Sequence, residues 1–172
     1  MNPNIKIEKL SPEVVLPEQQ TPGSVGYDLY LPYDIVVNPG RHILPLNFKI
    51  EMPVGIYGTI TPRSGFSAKG MEGVEIPGNV PCHLMEQLFN HHDAEDFIGR
   101  YDIDVLIGRI DSDYRGEVGV IVKSNEKNPI FLFGGTRIAQ MIFQRYEQVD
   151  FTEVSELSET ERGEGGFQST GA

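Results

Sequence analysis

Apolar and polar residues alternate in several short stretches of this 172-residue chain. In the clearest run, 44–52, Leu, Leu, Phe, Ile and Met occupy every second position. In a second run, Val118 to Val122, three valines share one face, and Gly119 and Ile121 lie on the other. Strict alternation is typical of a strand with one buried face, so both runs predict half-buried strands.

Further short strands are predicted at 5–7, 27–31, 129–133 and 137–143, separated by turns rich in the chain's 19 glycines and 12 prolines. Such spacing favours an all-β fold. Residues 124–128 are predicted to be a hairpin turn. The strand at 137–143 is apolar on both faces, which predicts burial on both sides. A buried Gln140 would then need hydrogen-bond partners, because an unpaired amide costs about 1–3 kcal/mol.

The strand rhythm breaks between residue 71 and about residue 104. Within this stretch, Leu84, Leu88 and Phe89 are spaced as in a short amphipathic helix. His91 and His92 are adjacent, so both cannot point in one direction on a helix. We therefore expect these histidines to be solvated, not metal ligands.

Composition narrows the classes of function. A formal net charge of −11 disfavours binding to a nucleic-acid polymer. A small anion is still a suitable ligand if a few arginines converge on it. The single cysteine, Cys82, excludes an intramolecular disulfide. No apolar run approaches signal-peptide or membrane-spanning length. We expect an intracellular, soluble, cytoplasmic protein without a membrane partner, or one in the host's compartment if the chain is viral.

Three segments carry candidate chemistry, and each has a structural alternative. The first is GRIDSDYRGEVGVIV, where Asp111 and Tyr114 suit either a nucleotide pocket or a hydrogen-bonded turn. The second is PRSGFSAKG, where Arg63 with its neighbours Ser64 and Gly65 suits phosphate oxygens or a surface turn. The third is GSVGYDLY, where Asp28 suits an outer-shell metal or sugar contact, or a strand-edge turn.

The C-terminal stretch, SELSETERGEGGFQSTGA, is polar and glycine-rich. It has the composition of a disordered end, because ordering ten residues would cost on the order of 10–20 kcal/mol. It also contains a cation, a ring and hydroxyls suited to covering a nucleotide, namely Arg162, Phe167, Ser169 and Thr170.

Five segments stand in a fixed order: GSVGYDLY, PRSGFSAKG, GRIDSDYRGEVGV, GTRIAQMIF and RGEGGFQSTG. In this order and spacing the chain closely resembles the trimeric dUTPases. The resemblance implies an all-β, jelly-roll-like barrel that forms a homotrimer, with sites between subunits. Residues 1–172 would form one domain, with a partly helical insert at about 71–100 and a flexible arm at about 155–172.

The resemblance also implies an activity: hydrolysis of dUTP to dUMP and pyrophosphate, with Mg²⁺ as cofactor. The implied catalytic residues are Asp111, which activates the attacking water, Tyr114, beneath the deoxyribose, and Gln140, near the phosphates. Asp28 would reach Mg²⁺ through water. The implied substrate-binding residues are Arg63, Ser64, Gly65, Arg109, Ile110, Gly119, Arg162, Phe167, Gln168, Ser169 and Thr170.

The chain departs from the family pattern at four places. Thr136 replaces an acidic residue, Gln168 replaces a glycine beside Phe167, and Arg109 stands where small or apolar residues are usual. The fourth departure is the insert, which either packs on the barrel or recruits a protein partner.

Two alternatives to a dUTPase remain. One is a regulatory protein that binds a partner through the insert. The other is a dCTP deaminase, which shares the fold but needs a glutamate where this chain has Ile121.

Overall fold

The computed structural model describes residues 3–76 and 98–163. These residues form strands and one short helix: β1 (Lys6–Lys9), β2 (Tyr27–Tyr30), β3 (Ile35–Val37), β4 (Gly40–Glu51), β5 (Ile56–Thr61), α1 (Ser64–Lys69), β6 (Met71–Glu75), β7 (Gly99–Tyr101), β8 (Ile103–Val105), β9 (Gly108–Ile110), β10 (Glu117–Ser124), β11 (Ile130–Leu132) and β12 (Arg137–Arg145).

The strands form three four-stranded sheets, in the orders β1-β4-β10-β8, β3-β11-β6-β7 and β2-β12-β5-β9. All the strand pairs among the described residues are antiparallel. One apolar core joins the sheets, with Phe48, Leu132 and Met141 each contributed by a different sheet. The fold is therefore all-β and jelly-roll-like, as predicted.

The alternation in the sequence sets which side chains enter this core. In β4 the alternate residues from Leu44 to Ile50 are buried, and Met52 directly beyond the strand is buried too. In β10 the three valines are buried, while Gly119 and Ile121 are half-buried. The predicted burial of β12 on both faces holds only in part, because Gln140 and Ile142 are half-buried.

The predicted hairpin turn at 124–128 is wrong. β10 pairs with β4 and β8, whereas β11 pairs with β3 and β6. The segment between β10 and β11 therefore carries the chain from one sheet to another. A turn-like composition indicates a change of direction, but it does not identify the strand that pairs next.

The segment 62–70, interpreted from the sequence as a phosphate contact or a surface turn, contains the helix α1. The helix ends at Gly70, whose φ of +78° lies in the left-handed region. A Cβ on Gly70 would also lie 2.8 Å from the Tyr101 carbonyl oxygen, so both the turn and the close approach require glycine.

Both ends of the predicted insert belong to a sheet. β6 pairs with β7, with Met71 opposite Tyr101 and Gly73 opposite Gly99. The interruption is thus shorter than the predicted range of about 71–100. The predicted helix around Leu84, Leu88 and Phe89 lies outside the described residues.

After β12 the described chain, 147–163, contains neither helix nor strand, and its residues are exposed. In the described ranges, no helix is long and apolar enough to cross a membrane.

Candidate active site

The first group of predicted site residues surrounds a turn between two sheets. β9 is an edge strand of the sheet β2-β12-β5-β9, and β10 is an inner strand of the sheet β1-β4-β10-β8. The chain crosses between them at 111–116, which we call the aspartate turn. Asp111 and Tyr114 are exposed on it, and the Tyr114 N–H donates to the Asp111 carbonyl at 3.1 Å.

A pocket of about 240 Å³ lies beside this turn. Its walls are mostly apolar, and they include the predicted substrate contacts on β9 and β10. The lining residues are Ile43, Ile60, Leu106, Gly108, Arg109, Ile110, Asp111, Tyr114, Glu117, Val118, Gly119 and Ile121. The structure therefore brings five predicted site residues together: Arg109, Ile110, Asp111, Tyr114 and Gly119.

Two glycines shape this pocket. A Cβ on Gly119 would lie 2.7 Å from Ile43 Cγ2, so glycine lets β10 approach β4 closely. A Cβ on Gly116 would lie 2.5 Å from Tyr114 Cζ, because the Tyr114 ring folds back over Gly116. The Tyr114 hydroxyl then donates to the Glu117 carbonyl at 3.0 Å, which fixes the ring at the mouth of the pocket.

The second group surrounds a buried carboxylate. Asp28 lies in β2 and is 6% exposed. Its Oδ1 accepts from Arg63 Nε at 2.9 Å, and its Oδ2 accepts from Arg137 at 3.5 Å. Asp28 thus lies within the edge strand β2 and not in a turn, and its carboxylate is paired with two arginines. Arg63 also stacks on the Phe66 ring at 5.2 Å, which helps to fix its guanidinium.

Gln140 belongs to this second group because β12 pairs with β2, with Gln140 opposite Asp28. Its Nε2 donates to the Pro62 carbonyl at 3.0 Å, so the amide has the partner that its burial was expected to require. A Cβ on Gly26 would lie 2.9 Å from Gln140 Cδ. The absence of a side chain at Gly26 therefore makes room for the amide.

Ser64 and Gly65 follow Arg63 as the first two residues of α1, and both are exposed. A Cβ on Gly65 would meet no atom within 4 Å, so the structure itself imposes no steric need for glycine there.

A polar network that the sequence did not reveal supports Asp28. Arg137 donates to Gln20 at 3.1 Å, and the Tyr30 hydroxyl donates to Glu18 at 2.6 Å. Burial and, next, the bond to Glu18 raise the pKa of Tyr30 above its ordinary value. Among these residues, only Arg137 could have been suspected from the sequence, because it is the first residue of the strand that contains Gln140.

The two groups lie apart in one chain. In the sheet β2-β12-β5-β9, Asp28 is opposite Gln140, Gln140 is opposite Thr61, and Ile110 is opposite Gly58. Three strand spacings and three residues along the strands separate Asp28 from Ile110 by about 17 Å. Asp111 follows Ile110 in the direction that leads farther from Asp28. The two carboxylates of one chain therefore cannot act at the same phosphate group.

The predicted arm is described only in part. Arg162 is exposed, in the segment without regular structure. Phe167, Gln168, Ser169 and Thr170 lie outside the described residues. Among the described residues, no group of three or more His, Cys, Asp or Glu side chains is arranged to hold a metal ion.

The residues that match known proteins include all five segments. The dUTPase family model matches residues 13–102 and 97–171. Deoxyuridine 5′-triphosphate nucleotidohydrolase of monkeypox virus is 36% identical over 172 residues, covering 99% of this chain and 93% of the viral one. The enzyme of the same name from Corynebacterium glutamicum is 37% identical over 169 residues, covering 97% and 94%.

Solved structures show the same fold. A Staphylococcus bacteriophage 80alpha dUTPase with dUpNHpp aligns with a TM-score of 0.74 and 21% identity, covering 98% of this chain and 99% of the phage chain. A mutant dUTPase from phage phi11 of S. aureus, described with a structural Mg(II) ion, aligns with a TM-score of 0.66 and 18% identity, covering 89% and 97%. On the family model and the viral and bacterial relatives, the chain belongs to the dUTPase family.

Proposed function

We propose that this dUTPase-family enzyme hydrolyses dUTP by attack of an Asp111-activated water on the α-phosphorus. The family and the named relatives support dUTP as the substrate. They also support hydrolysis that releases diphosphate as the activity. The finer mechanism is our proposal. The observation that carries it is the exposed Asp111 at the mouth of an apolar pocket, with Tyr114 fixed beside it.

The proposed reaction uses Asp111 as the base. The water oxygen bonds to the α-phosphorus, its proton passes to the Asp111 carboxylate, and the bond from the α-phosphorus to the bridging oxygen breaks. The products are dUMP and pyrophosphate. An exposed aspartate is a weak base at neutral pH, so its contribution depends on position.

The pocket beside Asp111 would hold the nucleoside. Ile110 and Gly119 line it, and the Tyr114 ring would lie against the deoxyribose, where a ribose 2′-hydroxyl would clash. Main-chain groups of the strands there would hydrogen-bond the uracil edge. Main-chain hydrogen bonds of this kind reject a base with the wrong hydrogen-bonding edge strongly, and a tight wall rejects the thymine methyl.

The second group would hold the triphosphate. Arg63 and Ser64 supply a guanidinium and a hydroxyl, and Gly65 allows close backbone approach. Gln140 would orient the attacking water. The cluster already combines a guanidinium with a placed amide, as phosphate recognition requires.

Mg²⁺ fits this group as an outer-shell partner. Asp28 uses both oxygens toward arginines, yet a carboxylate accepts about four hydrogen bonds, so it can also bind a metal-bound water. Because no described cluster forms a metal cage, the triphosphate would supply the direct ligands. When bound, Mg²⁺ offsets the charge of the phosphates.

The separation of the two groups supports a composite site in a homotrimer. The aspartate turn of one subunit would face the Asp28–Arg63–Gln140 group of another. The arm would close over this site, with Arg162, Ser169 and Thr170 on phosphates and Phe167 on uracil. Gln168 would sit beside the stacking ring, and Arg109 would contact a phosphate or a neighbouring subunit. In the cell this activity would supply dUMP and keep uracil out of DNA.

The test is complementation between two inactive variants, Asp111→Asn and Arg63→Ala. If each site takes Asp111 from one subunit and Arg63 from another, co-expression should restore about a quarter of the wild-type pyrophosphate release. The matched control co-expresses Asp111→Asn with Tyr114→Ala, because both changes fall in the same group and recovery should be much lower. Equal recovery in the two pairs, with Arg63→Ala shown to be folded by circular dichroism, would refute the composite site.

A role for the insert in binding a protein partner stays a prediction, since residues 77–97 lie outside the described residues. The deaminase alternative is disfavoured by the family assignment and by Ile121, an apolar side chain in the wall of the pocket.

A further inference from the structure

The aspartate turn has no strand partner of its own. β9 pairs with β5, and the first residue of β10 pairs with β4, so the connection at 111–116 spans two sheets. A turn in this position depends on side-chain contacts for its geometry, because no strand ladder fixes its backbone. The carboxylate that has to be held in place for hydrolysis lies at the start of this turn.

Arg115 provides one such contact. Its guanidinium donates to the carbonyl oxygens of Ser112 and Tyr114 at 2.7 and 2.8 Å. These bonds tie the turn to itself, but they do not tie it to either sheet. The Tyr114 hydroxyl links the turn to Glu117 in β10.

Tyr146 links the turn to the other sheet, directly after β12. Its hydroxyl lies 3.1 Å from the Ser112 hydroxyl, a contact between residues 34 positions apart. Tyr146 itself is anchored at two points. Its N–H donates to the Gly55 carbonyl at 3.1 Å, and its ring meets the Tyr57 ring edge-on at 6.2 Å.

Ser112 and Tyr146 lie on the side of the turn away from the nucleoside pocket. They line a separate pocket of about 680 Å³, whereas the pocket containing Tyr114 includes neither of them. Asp111 borders both pockets. The pair therefore contacts the turn from the second pocket, and Asp111 lies between the two pockets.

We propose that Tyr146 is a positioning residue for hydrolysis, which holds Asp111 in place through the hydroxyl of Ser112. This inference rests on the proposed role of Asp111 as base. Tyr146 and Ser112 would contribute to the chemical step and little to nucleotide affinity. A base displaced by about 1 Å loses much of its rate, and one neutral hydrogen bond restrains a turn only in part.

The experiment measures kcat and KM for dUTP, with single-turnover rates, in full-length variants. Tyr146→Phe removes the hydroxyl and keeps the ring, and we expect kcat to fall about tenfold with KM within about twofold. Ser112→Ala should do the same, and the double variant should lose no more than either single one. Ser112→Thr, which keeps a hydroxyl, should retain most of the activity.

Tyr57→Phe is the matched control. It removes a hydroxyl from the other ring of the same pair, and the described residues supply that hydroxyl with no hydrogen bond, so kcat should stay unchanged. Unchanged kcat in Tyr146→Phe, or losses that multiply in the double variant, would overturn the proposal. A raised KM would overturn it too, because it would mean that the hydroxyls contact the nucleotide.

Failure of the proposed base is distinguishable from failure of this inference. If Asp111→Asn keeps its turnover, Asp111 is not the base. If Asp111→Asn is inactive while Tyr146→Phe is wild type, only the positioning role is wrong.

Discussion

The two halves of the proposed site are built in opposite ways. The Asp28 group is a buried carboxylate between two guanidiniums, backed by paired strands on which Asp28 and Gln140 face each other. The aspartate turn is exposed, crosses between sheets, and is held by a few hydrogen bonds to side chains. The first half is part of the paired strands, which we call the structural frame. The second half is attached to that frame.

This difference predicts which substitutions affect stability and which affect only activity. Substitution in the Asp28 group should disturb folding and activity together, because the buried Asp28 carboxylate is paired with two arginines. Substitution in the aspartate turn should disturb activity alone, because little buried contact is lost. Measuring stability and activity for substitutions in each half tests this comparison.

The largest expected effect is that of Asp111→Asn. An amide cannot accept the proton from water, so turnover should fall by about a thousandfold while dUTP binding and melting temperature stay unchanged. Steady-state kinetics, titration with a non-hydrolysable dUTP analogue and calorimetry measure these quantities. Asp113→Asn, another exposed carboxylate on the turn, is the control and should stay active. A large fall in melting temperature would show that the turn is part of the frame.

The next effect is that of Asp28→Asn. Removing the charge weakens the hydrogen bonds from Arg63 and Arg137, so the free energy of unfolding should fall by about 2 kcal/mol and activity should fall with it. Thermal and urea unfolding measure the loss.

The control for Asp28→Asn is Glu51→Gln. Glu51 pairs with Lys6 at 2.7 Å in solvent, and the hydrogen bond and charge of Lys6 lower the Glu51 pKa. An exposed pair contributes little, so this change should leave stability unaffected. If Asp28→Asn and Glu51→Gln had the same melting temperature, the Asp28 group would not be part of the frame.

The smallest expected effect is that of Gly26→Ala. The new Cβ would lie 3.2 Å from Gln140 Cβ and closer to the flexible end of that side chain. The amide can swing away, so stability should fall by less than about 1 kcal/mol while kcat falls about tenfold.

Gly23→Ala is the control for Gly26→Ala, since a Cβ there would meet nothing within 4 Å. Wild-type kcat in Gly26→Ala would show that the placement of Gln140 is not needed for the reaction.

Local patterns predicted much of this protein. The period of two fixed the buried faces of β4 and β10, because side-chain direction in a strand depends on its own residues. The five segments indicated the family, and the roles of their site residues stay predictions. Local patterns failed at 124–128, where the partner strand lies in another sheet, and they did not reveal the helix at 64–69.

The amino-acid sequence by itself determined the all-β class, the core faces of the main strands and the family. The tertiary structure decided how the site is assembled. Asp28 meets Arg63 across 35 positions, and Ser112 meets Tyr146 across 34. Asp28 lies in β2, whereas Asp111 lies beyond the end of β9. Such contacts depend on which strands pair, and strand pairing is set by the packing of the whole chain and not by any one segment.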